Sequence, residues 1–207
     1  MYEAFVTAFV SLFVIIDPIG VAPVFGGMTK NAPPREARRM AFKGVAIALV
    51  ILIFFSAVGK PFLNALGITM DGLRVAGGIM LFIIGLEMVM EKRGERREET
   101  AKELDGYFED ISVFPIALPL LAGPGAIATV MLLMTNHEGN MQAQLAVVAA
   151  LALVLLATLI AFLMATKLMK LMGPTVHAVL TRVLGIIVAA LAAQYVLNGL
   201  HGTFISG

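Results

Sequence analysis

Six apolar stretches, at approximately 4–29, 41–59, 73–90, 111–135, 143–168 and 178–200, alternate with short polar connections along this chain. Each is close to the ~20 residues a helix needs to cross the hydrocarbon core of a bilayer. An unpaired peptide group is costly in hydrocarbon. The pattern therefore predicts an all-α membrane protein of six transmembrane helices, irregular only where protein or a water-filled cavity satisfies the backbone. Three stretches precede the longest polar segment and three follow it. That divides one membrane domain into a first three-helix unit at 1–90, a charged linker at 91–110 and a second unit at 111–207.

Two stretches carry the same interruption. Asp17-Pro18-Ile19-Gly20 breaks the first and Gly123-Pro124-Gly125 the fourth, with Pro18 falling on Pro124 at an offset of 106 positions. At that offset Ala22 falls on Ala128, Val24 on Val130 and Met28-Thr29 on Met134-Thr135. Farther along, Arg74-Val75-Ala76-Gly77-Gly78-Ile79 falls on Arg182-Val183-Leu184-Gly185-Ile186-Ile187. Self-similarity at a fixed separation marks a duplicated architecture. With three spans per unit, an odd number, the second unit enters the membrane from the opposite side, giving an inverted repeat.

Composition agrees with a bilayer setting: hydrophobic residues are 59% of 207, charged residues 14%, and mean hydropathy is +0.93. Soluble domains run at roughly 45–50% apolar and 25% charged. The first stretch opens with Glu3, carries no basic residues and lacks a small-x-small cleavage site, so it is expected to be mature protein and not a signal peptide. The absence of cysteine removes disulfides, thiol catalysis and cysteine-based metal or cluster sites. A net charge of +1 without a long basic run carries no footprint of nucleic-acid binding.

Basic residues gather in the odd connections. Lys30, Arg35, Arg38, Arg39 and Lys43 follow the first stretch; Lys92, Arg93, Arg96, Arg97 and Lys102 follow the third; Lys167 and Lys170 follow the fifth. The positive-inside rule puts these connections in the cytoplasm and both chain ends outside. The segment 91–110 mixes both signs, as in Glu98 and Lys102, and is expected to be a solvated linker helix.

Inverted repeats with paired discontinuous helices are a recurring arrangement in secondary transporters, with half-helix termini and unwound carbonyls meeting the solute at the midplane. Here both breaks are about 13 residues, or ~20 Å, into their stretches. Proline removes a donor and glycine permits positive φ, so each break frees peptide groups that a zwitterion can satisfy. The plainer alternative is a proline kink patched by a neighbouring helix, which two related breaks make less economical. Asp17, a carboxylate in hydrocarbon, should face the bundle interior or a wet cavity. It either only caps the helix that begins at Pro18, or also carries a ligand or coupling-proton role. Glu87 is expected to snorkel to the interface, and Arg74 and Arg182 to anchor span entrances or tie the units together. Thr129, five residues past Pro124, is the best of the polar span residues that also include Thr7, Ser11, Gln194 and Asn198, for which hydrogen bonding across helices is the default. Gly77, Gly85, Gly185 and Ala193 are expected to be packing positions.

The segments Phe13 to Phe25 and Leu118 to Ile127, with Arg74 to Ile79 and six spans, resemble the MarC family of integral membrane proteins, SnatA-like members included. The resemblance implies an inner-membrane protein that moves small neutral amino acids such as glycine and alanine, using a proton or sodium gradient. Asp17, Pro18, Gly20, Pro23, Gly123, Pro124 and Gly125 carry the pattern, and with Thr129 they are the candidate substrate-binding residues; Asp17 is also the candidate for ion coupling. On this reading one three-helix unit rocks against the other. The runner-up is a passive channel or facilitator of the same architecture. An intramembrane hydrolase lacks its parts: an aspartyl site needs two close carboxylates, and His137, His177 and His201 are all at span ends. A ligand-free assembly partner is the remaining class. No catalytic residue, metal site or cofactor is expected; the partners are the amino acid, the cation and the bilayer.

Overall fold

A computed structural model describes residues 1–90 and 110–204 of the chain. Its regular elements are helices: α1 (Tyr2–Ile16), α2 (Pro18–Met28), α3 (Pro34–Ala65), α4 (Met70–Val89), then an irregular segment Ser112–Leu121, followed by α5 (Pro124–Asn136), α6 (Met141–Leu163) and α7 (Ala165–Phe204). Five stretches are long and apolar enough to cross a membrane: Tyr2–Met28 as one, Pro34–Ala65, Met70–Val89, Met141–Leu163 and Ala178–Phe204. Ser112–Leu121 and Pro124–Asn136, bent by 57° to each other, make a sixth if the pair is one span. Apart from Asp110, the linker expected at 91–110 lies outside the described residues.

Three boundaries differ from the sequence expectation, each for a local reason. Pro33 precedes α3 and Pro34 is its first residue, so the helix starts before the apolar run does. Arg35, Arg38, Arg39 and Lys43 are therefore on a helix and not in a loop. At ~1.5 Å per residue the 32 residues of α3 reach ~48 Å, well beyond a ~30 Å hydrocarbon core, so its first turns project past the apolar zone. In the fourth stretch Ser112–Leu121 is not regular helix. Phe114 (φ −127°, ψ 126°) and Leu118 (φ −128°, ψ 129°) are extended, and each precedes a proline, Pro115 or Pro119, across a cis peptide bond. A residue before proline is driven out of the α region. Wide i→i+5 turns close on either side, from Ile116 N to Ile111 O at 3.2 Å and from Ala122 N to Ala117 O at 2.8 Å. Finally, α6 ends at Leu163, and the connection expected after 168 is helical as part of the 40-residue α7.

The helices of the first three spans find their extensive packing partners in the last three. α1 and α2 pack on α6, α5 and α7; α3 packs on Ser112–Leu121, α5 and α6; α4 packs on α7 and α5. The longest of these seams, α4 on α7, is lined with small residues. A Cβ on Gly85 would lie 2.8 Å from Ala189 N and 2.9 Å from Gly185 O, and one on Gly78 2.8 Å from Ala192 O. Such close approach of backbones is the usual basis of helix association in lipid. Gly77 faces α5 instead, against Ala128. Ala193 is exposed and its neighbour Ala192 is buried at the seam, one residue from the position the repeat suggests.

Polar ties join the two parts of the chain. Lys43 pairs with Asp110 and Lys60 with Glu138. Arg74 bonds Asp71 of its own helix at 2.7 Å and donates to Asn136 of α5 at 3.0 Å. Ser11 on α1 shares a hydrogen bond with the Tyr195 side chain on α7. Phe25 of α2 stacks on Phe162 of α6 with centroids 4.4 Å apart. Gln194 and Asn198, in contrast, bond each other at 2.8 Å on an exposed face, within one helix and not across two.

Candidate functional site

Asp17 is the one described non-glycine residue with positive φ (φ 59°, ψ 65°), and it both ends α1 and caps α2. Its own N–H donates to Phe13 O at 2.9 Å, its carbonyl accepts from Val21 N at 3.0 Å, and its carboxylate Oδ1 accepts from Gly20 N at 3.0 Å. Pro18 follows as the first helical residue, where its missing donor costs nothing. Pro23, within α2, has no N–H to offer the Ile19 carbonyl one turn back. Asp17 is only 2% exposed, so this carboxylate is wholly inside the protein. A Cβ on Gly20 would come 2.0 Å from Asp17 Oδ2; glycine there is what lets the cap close.

The second interruption is built differently. Gly123 (φ −71°, ψ 169°) is extended before Pro124, the first residue of α5, and no side chain caps that helix. Ile127 N returns to Gly123 O at 3.0 Å, while Pro124 contributes no donor. A Cβ on Gly123 would lie 2.5 Å from the Pro119 carbonyl oxygen, a backbone contact that leaves room for glycine only.

Beside this second break is a cavity of about 210 Å³. Pro115, Pro119, Gly123, Pro124 and Gly125 form one wall; Ile15, Val24 and Met28 of α1 and α2 form another; Ile84 and Glu87 of α4 close it. The volume is below the ~300–1,000 Å³ of drug-sized pockets, which fits a solute of few atoms. The cavity brings together three of the eight candidate residues, Gly123, Pro124 and Gly125. Asp17, Pro18, Gly20 and Pro23 do not line it, although Ile15, two residues before Asp17, does. Thr129 does not line it either, but lies one helical turn beyond Gly125 on the same face of α5. Thr129 is fully buried and its hydroxyl has no hydrogen-bond partner. Unlike Thr135 and Thr158, which donate to the carbonyl four residues back at 2.9 and 2.8 Å, it leaves that carbonyl alone. A buried hydroxyl without a partner is uncommon and calls for a reason.

Glu87, expected to snorkel to the interface, is half-buried near the end of α4, and its place on the cavity wall is an addition to that expectation. The signal that would have found it is a carboxylate inside an apolar stretch that ends on the same side as the Pro124 break begins. Pro115 and Pro119, four apart in an apolar run, were a second unused signal, since together they preclude a regular helix leading into Gly123.

A wider, more polar cavity of about 360 Å³ lies at the other end of α5, between it and α3, with Lys60, Asn64, Glu138 and Gln144 among its walls. Between the two cavities α5 is sealed by buried Ala128, Thr129, Val130, Leu132 and Leu133. Asp110, just before the irregular segment, has its carboxyl held down at about 2 by the Lys43 ammonium and by Ser112, whose N–H donates at 3.1 Å. Among the described residues no cluster of side chains has the makings of a metal site.

Residues 2–204 match the model of a family described as MarC family integral membrane protein. The chain is 37% identical over 206 residues to the UPF0056 membrane protein MJ1677 of Methanocaldococcus jannaschii, covering 98% of each. It is 34% identical to the UPF0056 membrane protein YhcE of Escherichia coli, over 95% of this chain and 91% of that one. To the UPF0056 membrane protein YvbG of Bacillus subtilis it is 33% identical, over 99% of this chain and 97% of that one. No solved structure matches the chain.

Proposed function

Because this chain belongs to the MarC family (UPF0056) and is a multi-pass integral membrane protein, we propose that it is a secondary transporter of small neutral amino acids of the glycine and alanine class. It works by alternating access and is coupled to a proton or sodium gradient. The observation that carries this reading is the small cavity against the Gly123-Pro124-Gly125 break, with the Asp17 break two residues from its opposite wall. The first turn of α5 directs its uncapped end at the cavity, a place where a carboxylate is favoured. Thr129 is the next polar group inward, available to a solute once the seal around it opens. Asp17 remains the candidate coupling acid, and the narrow glycine-lined walls favour substrates with little side chain.

The packing pattern supports an inverted repeat. Exchanging span one with four, two with five and three with six turns the α1/α2–α6 contacts into the α3–α5 contacts and the α4–α5 contacts into the α2–α7 contacts. It leaves α4–α7, α3–α6 and α1–α5 in place. The same pattern argues against rocking of one sequence half on the other, which would open nearly every extensive interface at once. The moving bodies are instead mixed: α3 with the fourth span, tied by Lys43–Asp110 and Lys60–Glu138, against α6 with the first. The basic connections favour an orientation with the cavity of Glu87 and Met28 toward the cytoplasm and the chain ends outside.

The test is radiolabelled glycine or alanine counterflow in proteoliposomes holding the purified chain. Saturable uptake accelerated by unlabelled amino acid inside is the expected result. Uptake linear in concentration without trans-stimulation would make the chain a channel, and no uptake of either would end the proposal.

A further inference from the structure

Resting on the transport reading above, we infer that the Thr129 hydroxyl is the inner anchor of the transported amino acid, donating to its α-carboxylate once the solute has moved one helical turn inward from the cavity beside Gly123-Pro124-Gly125. Thr129 is 0% exposed and its hydroxyl has no hydrogen-bond partner. Within a helix the ready acceptor is the carbonyl four residues back, and four other threonines use it. Thr29, Thr135, Thr158 and Thr203 donate there at 2.8, 2.9, 2.8 and 2.9 Å. Thr129 does not make that bond to Gly125 O. An unpaired donor in the interior is expensive, and here the expense is borne where a local bond was within reach.

The way from the cavity to this hydroxyl runs along α5. Thr129 is four residues past Gly125 on the same helix face, and Gly125, a wall residue of the cavity, has no side chain to stand between them. What stands there comes from neighbouring helices. Leu81 Cδ2 and Ile84 Cδ1 of α4 are 3.1 and 3.0 Å, and Ile15 Cγ2 of α1 is 3.7 Å, from the place a Gly125 Cβ would take. Farther along, Gly77 meets Ala128, so α4 runs antiparallel to α5, with Leu81 between those two levels. Leu81 is fully buried and does not line the cavity, which makes it the plug over Thr129. Along this face α5 offers hydrogen-bond donors: the first-turn amides, which no side chain caps, and then the Thr129 hydroxyl. The carboxylate is the part of a zwitterion that suits them. It rests on the amides first and reaches the hydroxyl when Leu81 gives way.

The experiment compares unaltered protein with Thr129→Val, which has the same shape without the hydroxyl, and Thr129→Ser, which keeps it. In detergent without solute, Thr129→Val is expected to raise the thermal midpoint by about 2–4 °C, because a buried donor without a partner is gone. In proteoliposomes the same variant should raise the KM for glycine counterflow by about tenfold or more, as for loss of one hydrogen bond to a charged group. It should also shrink the preference for glycine over glycinamide, which keeps the ammonium but has no carboxylate. Thr129→Ser should fall between, and Thr129→Ala carries the comparison if the valine variant does not fold. An unchanged glycine KM and preference in Thr129→Val overturn the assignment while leaving the transport reading intact. A loss as large in Thr129→Ser as in Thr129→Val would put the effect in packing and likewise overturn it. No counterflow by the unaltered protein takes down both readings together.

Discussion

At the scale of single residues, Asp17 does two jobs that substitution can separate. Its side chain caps α2 through Gly20 N, and its backbone occupies left-handed space. Asparagine serves about as well as aspartate at an N-cap and tolerates positive φ, whereas alanine does neither. Asp17→Asn should therefore leave the thermal midpoint in detergent close to that of the unaltered protein, while Asp17→Ala loses about 2–3 kcal/mol from cap and backbone together. If Asp17 is the coupling acid, Asp17→Asn abolishes uphill accumulation; full accumulation by that variant would leave the residue a cap alone. Gly20→Ala drives a methyl into the capping carboxylate, 2.0 Å away, and should cost about 1 kcal/mol or more by forcing the cap open. The capping role was legible from Asp-Pro in an apolar run. The burial of Asp17 away from the cavity, and the place of Glu87 in it, were not, because which wall a span turns toward is decided by packing partners far along the chain.

Elements tell a similar story. All six spans could be located from hydropathy because length and apolarity are properties of each stretch alone. The backbone of the fourth could not, since Phe114 and Leu118 are extended for a reason that lies in the next residue, proline, and not in hydropathy. The small-residue seam between α4 and α7 gives the sharpest prediction at this scale. Valine at Gly85 would press on Ala189 N and Gly185 O, backbone atoms at 2.8 and 2.9 Å that cannot yield. Gly85→Val should lower thermal stability by several degrees, read as a fall in the melting midpoint in detergent. Gly27→Val, where a Cβ meets nothing within 4 Å, is the control and should be near neutral in packing.

The whole molecule is held at its ends by charge as well as by its apolar interior. The Asp110 carboxyl, lowered from 3.8 to about 2 by Lys43 and Ser112, stabilises the fold fully above about pH 4 and loses that contribution as pH falls toward 2. Both partners are about half exposed (47% each), so the effect should stay within ~1 kcal/mol. Lys43→Met should flatten this acid limb of a pH-dependent melting curve, and an unaltered limb would show that the pair contributes nothing. The interleaving of the two sequence halves has a further bearing, on manufacture. A ribosome delivers α1 to α4 to the bilayer before any of their extensive partners exist. Until the later spans emerge, glycine faces meant for α7 are bare to lipid and the Asp17 turn has nothing closed over it. The nascent first half is thus a client of whatever holds unfinished helices at the insertion machinery. A chain truncated before residue 110 should be cleared rapidly by membrane proteases, and a separately expressed second half should rescue it.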